Sequence, residues 1–82
     1  MKAVYPMVIV EWVDAAHFQG WGDIENAKSV TPKQCISLGF QIPGGKDFIR
    51  LAQSVSAVGT ADEQIADILA IPKIWVKKVK KV

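Results

Sequence analysis

An all-β domain built as a small five-stranded barrel is what the sequence predicts, and three observations lead there. Short runs of β-branched and aromatic residues recur along the chain, separated by clusters of turn-forming residues. One run alternates strictly between apolar and polar positions and is followed by Pro43-Gly44-Gly45-Lys46, the signature of a hairpin. Finally, Pro72 interrupts the last apolar stretch one turn before it resumes. At 82 residues the chain is short for two domains, so residues 1 to 82 are read as one. A chain of this length buries only about 60% of its unfolded surface, which predicts modest stability.

Val4 to Val13 is the first run. It is too apolar for simple alternation and reads as a strand buried on both sides, with Pro6 confining its start to an edge or a bend. Asp14 to Pro32 then breaks the pattern with Gly20, Gly22, Asn26, Ser29 and Thr31 and reads as one long loop. Within it, Asp23 is placed to cap a short helical turn over Ile24 to Lys28.

Lys33 to Ile42 gives the clearest period-two signal. Ile36, Leu38, Phe40 and Ile42 share one face and Cys35, Ser37, Gly39 and Gln41 the other, a half-buried strand. Phe48 to Val55 resumes extended structure beyond the turn, with Ile49, Leu51 and Val55 on one side. Ser56 to Glu63 is a loop around Gly59.

Residues 61 to 70 admit two readings. Thr60-x-x-Glu63 resembles a capping box, and Ile65, Ile68 and Leu69 have helical spacing, so local pattern slightly favours a helix. Read as a strand, the same stretch puts Ile65, Leu69 and Ile71 on one face, with Asp67 among them. Pro72 ends either element, and Ile74-Trp75-Val76 restarts with strand-favouring residues that run to Val79, leaving Lys80 to Val82 as a free tail.

Half of the residues are hydrophobic and 22% are charged. That is too apolar for disorder and rich for a small monomer, so another copy of the chain is expected to cover part of the surface. The single cysteine, Cys35, allows no intramolecular disulfide and reads as a small core residue in a protein of the reducing cytoplasm. No stretch reaches the roughly 20 apolar residues of a membrane span, and Met1 to Pro6 lacks the apolar region of a signal peptide. Net charge is +2, but residues 73 to 82 hold five lysines and no acid, a formal +5. Residues 1 to 72 hold five basic and eight acidic groups, a formal −3, and this asymmetry points to a polyanionic or acidic partner.

Five short strands with a one-turn break before the last match small barrels of the Src-homology-3 and Sm type, whose closure removes most exposed edges. In such a barrel residues 61 to 70 are strand, tertiary context overriding local propensity. Val10-Glu11-Trp12-Val13-Asp14, Gly20-Trp21, Ser37-Leu38-Gly39-Phe40, Leu51-Ala52-Gln53-Ser54 and Ile71-Pro72-Lys73 together resemble a group of small phage-encoded proteins. Marine cyanophage and ocean-metagenome members with an Sm-like fold belong to that group. The resemblance implies an Sm-like fold, an origin in a phage, a location in the cytoplasm of the infected cell, and assembly into a homo-oligomeric ring. In such a ring Gln64 to Ile71 of one subunit pairs with Ile74 to Val79 of the next, covering Trp75 and Val79. Two departures accompany it: the aspartate and asparagine of the first Sm motif are missing from the hairpin, and no Arg-Gly or Lys-Gly pair follows the fourth strand. Uridine-pocket recognition of the eukaryotic type is therefore not implied.

Candidate contacts for RNA or single-stranded DNA follow from the charge. Lysines neutralise phosphates and release counterions, and an aromatic face stacks a base. Lys73, Trp75, Lys77 and Lys78 form such a set, extended by Lys80 and Lys81; the competing reading is a lysine-rich edge that keeps a strand soluble. Lys46 and Arg50 flank the hairpin and extend the patch by the Sm analogy, against the alternative of scattered surface charge. Lys73, in the loop before the final strand, is the lysine least occupied by strand pairing.

Trp12 and Trp21 read as core or loop anchors. His17 has no second histidine near it and reads as an exposed loop residue, so no metal is expected. Asp14, Asp23 and Glu25 match no calcium-loop spacing, and Gly44-Gly45-Lys46 lacks the earlier glycine and the hydroxyl residue of a phosphate loop. With no nucleophile–base pair and no paired carboxylates, the chain is read as a binding protein, not an enzyme, and no cofactor is implied. The alternative to nucleic-acid binding is a protein-interaction or structural barrel, contacting its partner through Trp75 and the Asp14 to Pro32 loop.

Overall fold

The protein forms five strands, as the barrel reading expects, and a computed structural model describes residues 5–17 and 19–82. Strand β1 spans Met7–Asp14, β2 Lys33–Ile42, β3 Phe48–Ser56, β4 Gln64–Pro72 and β5 Val76–Lys81. Helix α1, Ile24–Ser29, lies between β1 and β2, and one 3-10 turn, Lys73–Trp75, joins β4 to β5. The expected strand start at Val4, and the first four residues of the N-terminal reading, lie outside the described residues. Tyr5 and Pro6 precede the strand, and Pro6 contributes only its carbonyl, which accepts from the Gln41 amide at 2.8 Å.

All pairings are antiparallel, in the order β4-β3-β2-β1-β5. Strand β2 pairs with β1 along Lys33 to Phe40 and with β3 only at Phe40, Gln41 and Ile42, so it hands the sheet from one half to the other. The edges are β4 and β5, and no ladder joins them; the sheet is open at the point where the sequence predicts barrel closure.

The core is small. Val8 and Val10 from β1, Ile49 and Leu51 from β3 and Ile71 from β4 are buried together, with Trp12 and Val76 packed against them. Each aliphatic side chain so buried contributes about 1.5–3 kcal/mol. Strand β1 is buried on one side, not both: Val8 and Val10 face in, whereas Met7 and Glu11 are exposed.

The buried half of β2 is the reverse of what its apolar row suggests. Ile36 and Leu38 are 74% and 60% exposed, while Gly39 is buried and Cys35, Ser37 and Gln41 are half-buried. The register explains this. On the inner face Val8 lies opposite Gly39, Val10 opposite Ser37 and Trp12 opposite Cys35, so large residues of β1 meet small ones of β2. A Cβ on Gly39 would sit 2.9 Å from the Ala52 carbonyl oxygen, which leaves only glycine room there. Cys35 therefore borders the core without being enclosed by it.

Residues 64–72 are strand, the reading favoured by tertiary context over the locally favoured helix. The capping-box residues serve the preceding loop instead: the Gly59 amide donates to Glu63 Oε2 at 2.8 Å, and Thr60 Oγ1 donates to the Ala57 carbonyl at 2.7 Å. Ile65, Leu69 and Ile71 share the inner face with Val55, Leu51 and Ile49. Asp67, in phase with them, takes a left-handed φ of 56° and is exposed, which spares its carboxylate from burial.

The final strand begins at Val76, two residues later than Ile74, because Lys73–Trp75 winds into the 3-10 turn. Its end is not a free tail. Lys80 and Lys81 pair with Ile9 and Val8, and the Val82 amide donates to the Met7 carbonyl at 3.0 Å. The molecule is long, 56 × 23 × 21 Å, with a radius of gyration of 16.8 Å. None of its described helices is long and apolar enough to cross a membrane.

Candidate nucleic-acid interface

The hairpin turn and the link between β4 and β5 meet at one end of the sheet. Gly44 and Gly45 take φ values of 90° and 87°, which only glycine adopts cheaply. The Arg50 guanidinium lies down against the turn, with Nη1 2.1 Å from where a Cβ on Gly45 would sit, a clash that the flexible arginine side chain can relieve by moving. The same guanidinium carbon is 5.7 Å from the centre of the Phe48 ring, a cation–π distance. Pro72, opposite Phe48 in the β3–β4 ladder, ends that strand. The next residue, Lys73, donates its amide to the Asp47 carbonyl at 2.9 Å, which ties the link to the turn.

Lys46, Arg50 and Lys73, far apart in sequence, are thereby gathered around Phe48. Lys46, Phe48 and Lys73 line one shallow, solvent-open concavity together with Gln41, Ile42 and Pro43–Gly45. Both lysines are exposed and Arg50 is half-buried. Among the described residues the one salt bridge is Lys28 to Glu25 at 3.8 Å, so these three cations have no carboxylate within ion-pair distance. The group presents positive charge beside a partly exposed aromatic ring.

The remaining predicted contacts lie elsewhere. Trp75 stacks on Trp12, with ring centres 6.5 Å apart and planes within 1° of parallel, so one of its faces is already occupied. Trp12 is fixed in turn by its Nε1, which donates to Ser37 Oγ at 3.0 Å. Lys77 is the extra residue where the β1–β5 register shifts, and with Ile74, Trp75, Val13 and Asp14 it lines a second concavity. Lys78 lies opposite Glu11, an acid that offsets its charge. The structure thus divides the predicted set into Lys46, Arg50 and Lys73 at the turn end, Trp75 and Lys77 beside the Trp12 stack, and Lys78 on the sheet's outer face.

Phe48 was not among the residues singled out from sequence. Its signal was its place between Lys46 and Arg50, next to a glycine turn. Trp21, expected as an anchor, is fully exposed, and His17 is an exposed loop residue. Asp14 Oδ1 accepts from the Ala15 amide and Asp23 Oδ1 caps α1 through the Asn26 amide at 2.9 Å, so both carboxylates have local structural uses. No three described His, Cys, Asp or Glu side chains converge on a point that would hold a metal ion.

At the β3–β4 loop, Tyr5 donates its hydroxyl to Glu63 Oε1. The Gly59 amide, and then this hydroxyl, hold the Glu63 carboxyl below its ordinary pKa. The same bond raises the Tyr5 phenol. No family model matches the sequence, and neither a curated protein nor a solved structure matches it.

Proposed function

We propose that the chain is a phage-derived, Sm-like small barrel that assembles with copies of itself and binds RNA or single-stranded DNA, chiefly through phosphate contacts. The observation that carries this reading is the convergence of Lys46, Arg50 and Lys73 around Phe48, with no carboxylate within salt-bridge distance of any of them. Three cations against the single acid Asp47 at a turn end, next to an aromatic ring, suit a strand whose phosphates are held and whose bases stack with little sequence preference. The strand order β4-β3-β2-β1-β5, and a 3-10 turn between the last two strands, support the barrel reading. Two unpaired edges support assembly, since pairing β4 of one copy with β5 of the next would satisfy both.

The test is a fluorescence-anisotropy titration with single-stranded oligonucleotides at several salt concentrations. The wild-type chain is expected to bind at low salt and to weaken as salt rises. Replacing Lys46, Arg50 and Lys73 together by alanine removes three phosphate contacts and is expected to reduce the log–log salt slope by roughly 2. Absence of binding at low salt, or binding indifferent to salt, refutes the reading. Pull-down from nuclease-treated host lysate separates it from the protein-interaction alternative, because a protein partner survives nuclease.

A further inference from the structure

Between β1 and β2 the chain forms a folded arm whose helix buries none of its own residues. Helix α1 has six residues, none of them buried, and no strand packs extensively against it. Isolated helices shorter than about 12–15 residues are marginal in water, so the cap from Asp23 and one exposed ion pair do not hold this turn by themselves. The arm also carries apolar surface that a lone chain leaves wet: Trp21 is fully exposed and Ile24 is 66% exposed.

A matching surface lies on the outer face of β1 and β2. There the cross-strand pairs Met7 with Phe40 and Ile9 with Leu38, continued by Ile36 opposite Glu11, form a largely apolar strip with one acid at its end. Strand β5 borders it on the same face with Lys80 beside Ile9 and Lys78 beside Glu11. The arm places Asp23 and Glu25 next to its own apolar residues. Apolar surface on the arm is thus matched by apolar surface on the strip, while Glu25 pairs with Lys28 within the arm and Lys78 lies beside Glu11 on the sheet, which leaves Asp23 and Lys80 as the complementary charges.

Area supports a second copy as the occupant. The chain exposes 6462 Å², whereas a folded monomer of 9.0 kDa exposes about 4,900 Å² by the scaling of surface with mass. The excess, about 1,600 Å² per chain, falls within the ~1,000–2,500 Å² that each subunit of an obligate homodimer buries. The radius of gyration of 16.8 Å likewise exceeds the value of about 12 Å for a compact chain of this length.

We propose that the arm of residues 19–32 packs on the outer β1–β2 face of a second copy of this chain, seating Trp21 and Ile24 over Ile36 and Leu38. The apolar residues that make this contact, Trp21, Ile24, Ile36 and Leu38, take part neither in the Lys46–Arg50–Lys73 group nor in β4–β5 edge pairing. Its test is sedimentation velocity across a range of protein concentrations, on the wild-type chain and two variants. One carries Trp21→Ser with Ile24→Ser on the arm; the other carries Leu38→Lys on the receiving face. All three side chains are exposed within the single chain, so unchanged far-ultraviolet circular dichroism is expected. Wild type is expected to self-associate, and each variant to do so roughly tenfold or more weakly, as for removal of an aromatic anchor or its seat. An equimolar mixture of the two variants is expected to regain association, because it restores one intact arm and one intact face. A wild-type chain that stays monomeric, a variant that associates like wild type, or a mixture that regains nothing overturns the proposal.

Discussion

Two isoleucines on either side of Pro72 and Lys73 test where the core ends. Ile71 is fully buried among Val8, Val10, Ile49 and Leu51, whereas Ile74 is 91% exposed on the 3-10 turn. Ile71→Ala removes three carbons from a closed site. The lost transfer energy and the residual cavity together cost about 2–5 kcal/mol. Ile74→Ala removes the same atoms from water and is expected to change stability by no more than ~0.5 kcal/mol in either direction. A domain of 82 residues has about 4–12 kcal/mol in total at the usual yield per residue. With a urea dependence of about 1 kcal/mol per molar, typical of small domains, Ile71→Ala is expected to lower the unfolding midpoint by about 2 M or more. Both variants should be unfolded at one protein concentration, since self-association adds to apparent stability. Equal midpoints for the two variants would refute the placement of the β4 inner face and of the turn that follows it.

Three further outcomes follow from single contacts. Gly39→Ala brings a Cβ to 2.9 Å from the Ala52 carbonyl oxygen and 3.1 Å from Leu51 Cβ, and overpacking of this kind costs about 1–3 kcal/mol, readable by urea denaturation. Ser37→Ala removes the acceptor that holds Trp12 Nε1 at 3.0 Å and should cost about 1 kcal/mol; an unaltered midpoint would mean that the bond does not hold the Trp12 ring. Glu63 has a folded-state pKa below its unfolded value, through the Gly59 amide first and the Tyr5 hydroxyl second. Its contribution is therefore fully present above the ordinary glutamate pKa and is lost as pH falls through the lowered folded value. Glu63→Gln should flatten the midpoint's dependence on pH across that acid window, and a slope equal to wild type would count against the contact.

Much of the strand map was legible locally. Lys33 to Ile42 alternates cleanly, and Gly44 and Gly45 supply the two positive φ values of the turn, so both β2 and its hairpin partner were readable. The Asp23 cap and the short helix after it were equally visible, because capping depends on a side chain three residues from the amide it satisfies. Within the candidate site, Lys46 and Arg50 were legible as neighbours of a turn, and Lys73 as a loop lysine.

Other features depend on what lies across space. Alternation identifies the two faces of β2 but not which one is buried. That choice went to the polar and small face because Val8, Val10 and Trp12 fill the interior opposite it. Residues 64–72 carry a helical cap and helical spacing, yet pairing along β3 makes them strand, and Asp67 escapes burial by a left-handed backbone. Trp12 and Trp21 look alike as residues on either side of a loop; one stacks on Trp75, the other lies bare on the arm.

By itself the sequence determined a single β-rich chain, its hairpin, its helical turn and a cationic terminal strand, because these rest on periodicity, turn chemistry and charge, which act over a few residues. Only the tertiary structure decided the inner face of β2, the strand at 64–72 and the meeting of Lys46, Arg50 and Lys73. Each of these is set by a partner on another strand or turn, or by competition for one small core, and no local pattern encodes it.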